Sequence, residues 1–247
     1  MYQHFKNILD TALENDDFFK VAFPTFDSNV LDNKELDEDV IIFTGATRAT
    51  IVDSNYDWVC KFDCEQDARG SACEREYRRY QLAKEFGVQD MLTPVVYLGT
   101  YIKDYMGYDV DPWDYSSSEL DQYKTCEYHV ELELYAYKKA NTDVHIYGSF
   151  NSLSAREKHD LDYAHSPLTQ RSTDVGAAFM REYGSEKYNM LDHFCREYKV
   201  NDLHRNNVGL IGNKLVIIDY AGYYDREYYT SEEEEYDTSS ETNYNSY

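Results

Sequence analysis

The sequence VNDLHRNNVG at residues 200–209, followed by LVIIDYAG at residues 215–222, places oxygen-bearing side chains around two short apolar runs. Asp202 and Asn207 lie five residues apart in one loop, and Asp219 comes directly after the second apolar run. Carboxylate and amide oxygens are ligands that hard cations such as Mg²⁺ take. The function of this stretch therefore depends on whether the fold brings the three side chains together.

A hairpin is predicted here, because a Gly-Asn pair separates the two apolar runs. Its strands are expected at 208–211 and 215–218, after a helix that ends near Tyr198. Such a hairpin returns the chain and brings Asp219 back beside Asn207. The two side chains could then share one hard cation.

Strand signals are strongest in the first half of the chain. The segment at 40–63 has β-branched runs that are interrupted by Gly45 and by SNYD, which predicts consecutive antiparallel strands. TPVVYLGTYI at 93–102 predicts another strand. EYHVELELYAY at 127–137 alternates apolar and polar residues, as a half-buried strand does. These segments predict a small antiparallel sheet.

Helical periodicity marks other segments. Residues 2–19 predict an amphipathic helix, and residues 72–87 predict a second helix for which Gly87 is a C-terminal stop. From about residue 152 the pattern becomes mainly helical, most clearly in DVGAAFMREYG and SEKYNMLDHFCREY. Residues 103–127 are polar and acidic, and they predict an irregular insertion or a short helix on a loop.

The combination of DLHRNNVG with IIDYAG resembles the catalytic and metal-binding loops of the protein kinase-like superfamily, in the variant found in aminoglycoside and choline phosphotransferases. By that resemblance Asp202 is the catalytic-loop aspartate, and His204 stands where that loop has a lysine. Asn207 and Asp219 are the Mg²⁺ ligands by the same resemblance. The implied cofactors are ATP and Mg²⁺.

VCKFD at 59–63 resembles the family's phosphate-binding lysine strand, so Lys61 would contact the nucleotide phosphates. A carboxylate on the next helix would hold that lysine over the phosphates. Glu76 is the preferred partner, and Glu74 is the alternative. A surface position, with Glu76 paired to Arg79, is the structural alternative for that acid.

TGATRATIV at 44–52 stands where the family has its glycine-rich loop, and Gly45 is the glycine that it retains. Backbone amides there could meet phosphate, helped by Arg48. The resemblance implies an α+β, two-lobed protein kinase-like fold with the following expected parts. These are a sheet-and-helix N-lobe over 1–137 with the insertion at 103–127, and a shortened helical C-lobe over 138–224. Residues 225–247 contain four consecutive glutamates and almost no aliphatic residues, and this composition predicts an acidic, disordered tail.

The charge of the chain restricts its partners. There are 24 basic and 47 acidic residues, and the net charge of −23 repels nucleic-acid backbones and anionic lipid surfaces. We therefore expect neither nucleic acid nor membrane as a partner. Two interpretations of this charge remain: it keeps the protein in solution, or it forms an acidic surface that competes for a basic partner protein.

The cysteines and the N-terminus indicate a cytoplasmic location. Five cysteines form an odd set without the dense spacing of a disulfide framework, and no second Cys pair or nearby His completes a zinc site around Cys60, Cys64 and Cys73. The N-terminal residues contain acids where a signal peptide needs an apolar run. If the chain comes from a bacteriophage, that cytoplasm is the host's.

The expected function is ATP- and Mg²⁺-dependent phosphoryl transfer to a Ser, Thr or Tyr hydroxyl of a host protein, or of the chain itself. A bacteriophage or bacterial source fits a compact, acidic chain with 26 tyrosines. Tyr236, Tyr244 and Tyr247 are candidate acceptors, although core and interface packing is the safer role for the tyrosines as a group. Two alternatives remain open: a pseudokinase-like or acidic decoy protein that inhibits a basic partner, and a small-molecule kinase.

Overall fold

The computed structural model of the protein describes residues 1–15, 34–36, 38–44, 48–63, 70–108, 125–142, 153–161, 166–170 and 172–222. Gly45, the candidate acceptor tyrosines and the predicted tail over 225–247 lie outside the described residues. Within the described part of the chain, none of the helices combines the length and the apolar character that a bilayer span requires.

A six-stranded antiparallel sheet occupies most of the first half. Its strands are β1 (Lys34–Glu35), β2 (Val40–Thr44), β3 (Arg48–Asp53), β4 (Trp58–Asp63), β5 (Val95–Tyr108) and β6 (Thr125–Lys138). Their order in the sheet is β1-β2-β3-β4-β6-β5. The strands predicted over 40–63 and at 127–137 are confirmed. The chain is a mixed α+β protein, as expected.

The structure corrects the expected irregular insertion at 103–127 at both of its ends. Residues 103–108 extend β5, and residues 125–127 begin β6, with paired register from Gly99 opposite Leu134 to Tyr108 opposite Thr125. The strand ends were missed because tyrosine occupies buried strand positions here, while the composition of the segment is polar. Tyr105, in the part of β5 that was not predicted, is buried on the same face of the strand as Tyr101. Residues 109–124 lie outside the described residues.

The helices and the second hairpin complete the described elements. They are α1 (Tyr2–Asn15), α2 (Ala72–Phe86), α3 (Ala155–Asp160), α4 (Pro167–Gln170), α5 (Thr173–Glu197), β7 (Val208–Ile211) and β8 (Lys214–Ile217), with short 3₁₀ turns at Gln89–Met91 and Arg205–Asn207. Gly184 has non-helical backbone angles inside α5, where the two predicted helical segments meet. The predicted hairpin after Tyr198 is confirmed.

The two faces of the sheet pack against different partners. On β4, Cys60 and Phe62 are fully buried in a cluster with Phe5 and Leu9 of α1. Lys61, between them, points to the opposite face, as the two-residue period of a strand requires. Burial of each large apolar side chain contributes about 1.5–3 kcal/mol. The α1 face is therefore a stable base that leaves the other face to form a site.

The start of α2 is fixed to the end of β4, and this contact positions the helix over the second face. The Asp63 carboxylate accepts hydrogen bonds from the backbone N–H groups of Ala72 (3.0 Å) and Cys73 (3.2 Å). Ser71 caps the helix by accepting a bond from the Glu74 N–H at 2.9 Å. Gly87 ends it in the left-handed region, with φ 71°. The predicted glycine stop is confirmed.

Candidate active site

A cavity of about 340 Å³ lies between the second face of the sheet and the end of β8. Pockets that hold small ligands start at about 300 Å³, so this cavity has room for one. Its lining includes strand residues, the segment after β6, and the residue that follows β8. They are Phe43, Thr50, Val52, Val59, Lys61, Thr93, Tyr137, Lys138, Lys139, Ala140, Thr142 and Ile218.

Backbone hydrogen bonds hold the walls of this cavity together. After β6, Asn141 exchanges two backbone hydrogen bonds with Leu210 of β7, at 2.8 and 2.9 Å. On another side, the Thr93 N–H donates to the Ile217 carbonyl of β8 at 2.9 Å. The sheet and the β7–β8 hairpin are thus joined through two separate segments. These connections bring Ile218, and hence Asp219, to the edge of the cavity.

The cavity is locally basic in a strongly acidic chain. Three of the described lining residues are lysines, and no Asp or Glu is among the described lining residues. The Lys138 ammonium is paired with Asp57 at 3.0 Å, so Lys61 and Lys139 supply most of the positive charge. The Lys61 ammonium donates to the Ile218 carbonyl at 3.3 Å and lies 4.5 Å from the centre of the Tyr137 ring. Cation–π contact and the carbonyl hold the ammonium inside the cavity. An anionic ligand is favoured there by charge.

Glu76 of α2 is the best-connected acid of the site, and its side chain is fully buried. One carboxylate oxygen accepts the backbone N–H groups of Tyr220 (2.7 Å) and Ala221 (3.2 Å). The other oxygen forms an ion pair with Arg48, at 2.8 Å. The acid therefore joins α2 to the start of β3 and to the loop after β8.

The predicted pair of Lys61 with Glu76 is wrong. Arg48 occupies that carboxylate, because its long, forked guanidinium reaches from the start of β3 to two acids at once. The alternative partner, Glu74, is 40% exposed and pairs with Arg78 along the surface of α2. Glu76 is also not the surface acid of the structural alternative. Of the two acids, Glu76 alone belongs to the site.

Asp219 lies between cations. Its carboxylate accepts a hydrogen bond from the second guanidinium nitrogen of Arg48. Burial opposes ionisation of Asp219, but the positive charges of Arg48 and Lys61 outweigh it and lower the pKa of the carboxyl to about 2. The group is therefore an anion at neutral pH, as a cation ligand must be.

The loop before β7 is organised by Asn207. Its side-chain nitrogen donates to the backbone carbonyl of Asp202 at 2.6 Å, which closes the loop across five residues. Its own backbone carbonyl accepts the Ile218 N–H at 2.9 Å, one step beyond the β7–β8 ladder. This geometry leaves the amide oxygen of Asn207 as the side-chain atom to offer a cation. Asp202, Asn207 and the residue before Asp219 are thus linked directly.

His204 has a local role in the same loop. It caps the 3₁₀ turn at Arg205–Asn207, because its Nδ1 accepts the Asn206 N–H at 3.2 Å. Its Nε2 lies 3.9 Å from a carboxylate oxygen of Asp202. That separation is too long for a hydrogen bond but close enough for a charge interaction if the ring is protonated. The capped turn holds the ring beside Asp202.

Sequence reasoning missed Arg79 as a brace of the site. From α2, its guanidinium donates to the backbone carbonyls of Tyr220 and of Tyr198, and so it ties the loop after β8 to the end of α5. Gly222 packs so closely that an added Cβ would meet the Lys199 carbonyl oxygen. An arginine three residues after Glu76 was visible in the sequence, but its backbone partners were not.

The donor set suits a hard cation. Asp219 and Asn207 offer oxygen atoms only, which is the chemistry that Mg²⁺ prefers. Among the described residues, no cluster of three or more His, Cys, Asp or Glu side chains is arranged as a metal site. Any cation here would thus depend on these few protein oxygens together with oxygens from a ligand or water, as Mg²⁺ sites commonly do.

Comparisons with protein-family models, with curated proteins and with solved structures give no significant match to this chain. The geometry of the cavity and its surrounding loops is therefore the basis for the functional proposal.

Proposed function

We propose that this chain is an ATP- and Mg²⁺-dependent phosphotransferase with a two-lobed, protein kinase-like fold. The observation that carries the proposal is the continuity of the basic cavity with the Asp219 loop. Ile218 lines the cavity, Asp219 follows it, and the Ile218 N–H is bonded to Asn207, which closes the loop of Asp202. A nucleotide base in the cavity would direct its phosphates toward these acids.

The roles follow from chemistry and position. Lys61 neutralises phosphate charge from within the cavity, while apolar strand residues contact the base. Asp202 orients and deprotonates the incoming hydroxyl, and His204 lies beside it. Asn207 and Asp219 would hold Mg²⁺, which supplies neutralisation of charge on the phosphates. Alignment and electrostatic stabilisation provide most of the acceleration in such transfers.

The proposed acceptor is a Ser, Thr or Tyr hydroxyl of a host protein or of the chain itself. Binding is tested first, by a thermal-shift titration with MgATP, since a ligand that binds only the folded state raises the melting temperature. Transfer is then tested with ATP labelled on the γ-phosphate. We expect Asp202→Asn to abolish transfer and to retain MgATP binding. Asp104→Asn, on the exposed surface of β5, is the matched control and should transfer normally.

A second candidate, an acidic decoy or pseudokinase-like protein that inhibits a basic partner, is favoured by the net charge of −23. It predicts no thermal shift with MgATP, together with salt-sensitive binding to a basic protein. A small-molecule kinase is the third candidate, suggested by the DLHRNN form of the loop. It predicts label transfer to a small alcohol and none to protein.

A further inference from the structure

Arg48 spans the two acids that nucleotide chemistry would need at this site. One guanidinium nitrogen is 2.8 Å from Glu76, and the other donates to Asp219. The Arg48 side chain is 14% exposed, and that of Glu76 is fully buried. This bridge connects the start of β3, which lies within the segment 44–52 where the glycine-rich loop is expected, to the proposed metal ligand. The sequence suggested only that Arg48 helps backbone amides to bind phosphate, and its contact with Asp219 adds a second possible role.

A divalent cation and Arg48 compete for the same carboxylate. Mg²⁺ sits about 2.0–2.1 Å from its oxygen ligands, so a cation on Asp219 would lie within a few Å of the guanidinium. Two positive charges at that separation repel each other strongly in a partly buried site. Arg48 holds one oxygen of Asp219, and the other oxygen accepts a bond from the Ala221 N–H at 3.4 Å, so a cation that binds there while Arg48 stays in place binds weakly.

Glu76 and Asp219 differ as partners of Arg48. Glu76 is fixed by two backbone N–H groups and is fully buried, whereas the Asp219 side chain is 32% exposed. Movement of the guanidinium away from Asp219 alone preserves the buried ion pair. Phosphate oxygens are suitable replacement partners, because a guanidinium binds them with paired, charge-assisted hydrogen bonds.

We propose, on the basis of the proposed function, that Arg48 has two roles. Held by Glu76, it binds the phosphates of the nucleotide, and without nucleotide it acts as a latch on Asp219. Without nucleotide, Arg48 keeps Asp219 from binding a divalent cation. When nucleotide is present, its phosphates draw the guanidinium away, and Asp219 becomes available to the metal. Divalent cation therefore binds well only together with nucleotide.

The test measures two ligands separately on the full chain: Mn²⁺ without nucleotide, from the electron paramagnetic resonance signal of free Mn²⁺, and ATP in excess EDTA, by calorimetry. For Arg48→Gln we expect about tenfold tighter Mn²⁺ binding and about tenfold weaker ATP binding, about 1.4 kcal/mol each. Arg78→Gln removes the same charge from the surface of α2 and should change neither affinity. Opposite changes in the two affinities are the signature of the latch.

Loss of Arg48 leaves the Glu76 charge buried and can destabilise the fold. The double variant Arg48→Gln/Glu76→Gln removes both charges, and we expect the same opposite changes in it. In the wild-type protein, the side-chain ¹⁵N signal of Arg48 should shift with ATP in EDTA and stay unchanged with Mg²⁺ alone. Equal or same-direction changes in both affinities in a folded variant overturn the latch, and so does an Arg48 signal that ATP leaves unchanged.

The two proposals fail in different ways. If the wild-type protein shows no thermal shift with MgATP, the phosphotransferase proposal fails, whatever Arg48 does. If MgATP binds but the folded variants leave Mn²⁺ affinity unchanged, the latch alone fails.

Discussion

Replacement of Glu76 should be among the most destabilising single changes in the site. Glu76→Ala removes a fully buried carboxylate together with an ion pair at 2.8 Å and two backbone hydrogen bonds at 2.7 and 3.2 Å. Breaking a buried ion pair typically costs about 3–5 kcal/mol, because the remaining charge loses its compensation. Arg48 keeps one partner in Asp219, so the lower part of that range, about 3 kcal/mol, is expected.

Glu76→Gln separates the charge from the hydrogen bonds. The amide oxygen still accepts the two backbone N–H groups, but the amide nitrogen then faces the Arg48 guanidinium, donor against donor. We expect the free energy of unfolding to fall by about 2 kcal/mol. Glu74→Gln is the matched control, because Glu74 lies on the same helix and pairs with the exposed Arg78. Its cost should be about 0.5 kcal/mol.

Urea unfolding followed by tryptophan fluorescence measures these differences as free energies of unfolding. The order of stability should be wild type, Glu74→Gln, Glu76→Gln and Glu76→Ala. Equal losses for the two glutamine variants would refute the assignment of Glu76 as the buried centre of the site.

Three further predictions concern the loops around the cavity. Gly222→Ala should lower the free energy of unfolding by about 2 kcal/mol or more, because the φ of Gly222 is 75° and the new Cβ meets a backbone carbonyl. Gly212→Ala should lower it by about 1 kcal/mol, because the φ of Gly212 is 61° but the space around it is open. Thermal unfolding of the two variants compares these losses. The pKa of Asp219, about 2, lies below its ordinary value of 3.8, so its stabilising contribution is complete above about pH 4 and is lost as the pH falls towards 2. Urea unfolding between pH 5 and pH 2 should show a shallower loss for Asp219→Asn, and an unchanged slope would contradict this. Tyr220→Phe removes the buried bond to the Thr93 carbonyl (2.8 Å) and should lower the unfolding free energy by about 1 kcal/mol, whereas no loss would rule out a stabilising role for that bond.

Most helices and strands were predicted correctly because residues close together in sequence determine where they begin and end. The strands of 40–63 followed from β-branched runs, and the end of α2 followed from Gly87, which adopts the left-handed conformation that the stop requires. The Gly-Asn pair predicted the β7–β8 turn for the same reason. In that hairpin the loop of Asp202 and the strand end before Asp219 came together as expected.

The partners of long cationic side chains did not follow from the sequence. A lysine and an arginine can each reach many acids, and tertiary geometry decides between them. Lys61 contacts the Ile218 carbonyl and the Tyr137 ring, whereas Arg48 takes Glu76. Arg79 was missed for a related reason, since its partners are backbone carbonyls distant in sequence.

The extent of the β5–β6 hairpin was missed because of tyrosine. Tyr105 buries its ring in the cluster on the α1 face of the sheet, yet the polar and acidic residues around it are typical of a loop. Amphipathic aromatic residues have a polar end and a large apolar surface. In a chain with 26 tyrosines, this ambiguity hides strand periodicity.

Titration of MgATP into the wild-type protein and into Lys61→Met tests the central claim most directly. A ligand at one hundred times its dissociation constant adds about 2.7 kcal/mol of stability, which for a chain of this size raises the melting temperature by about 5–10 °C. The account predicts a saturable rise of this size for the wild-type protein and a much smaller rise for Lys61→Met at the same concentration. An unchanged melting temperature for the wild type at millimolar MgATP, or equal shifts for both proteins, would contradict it.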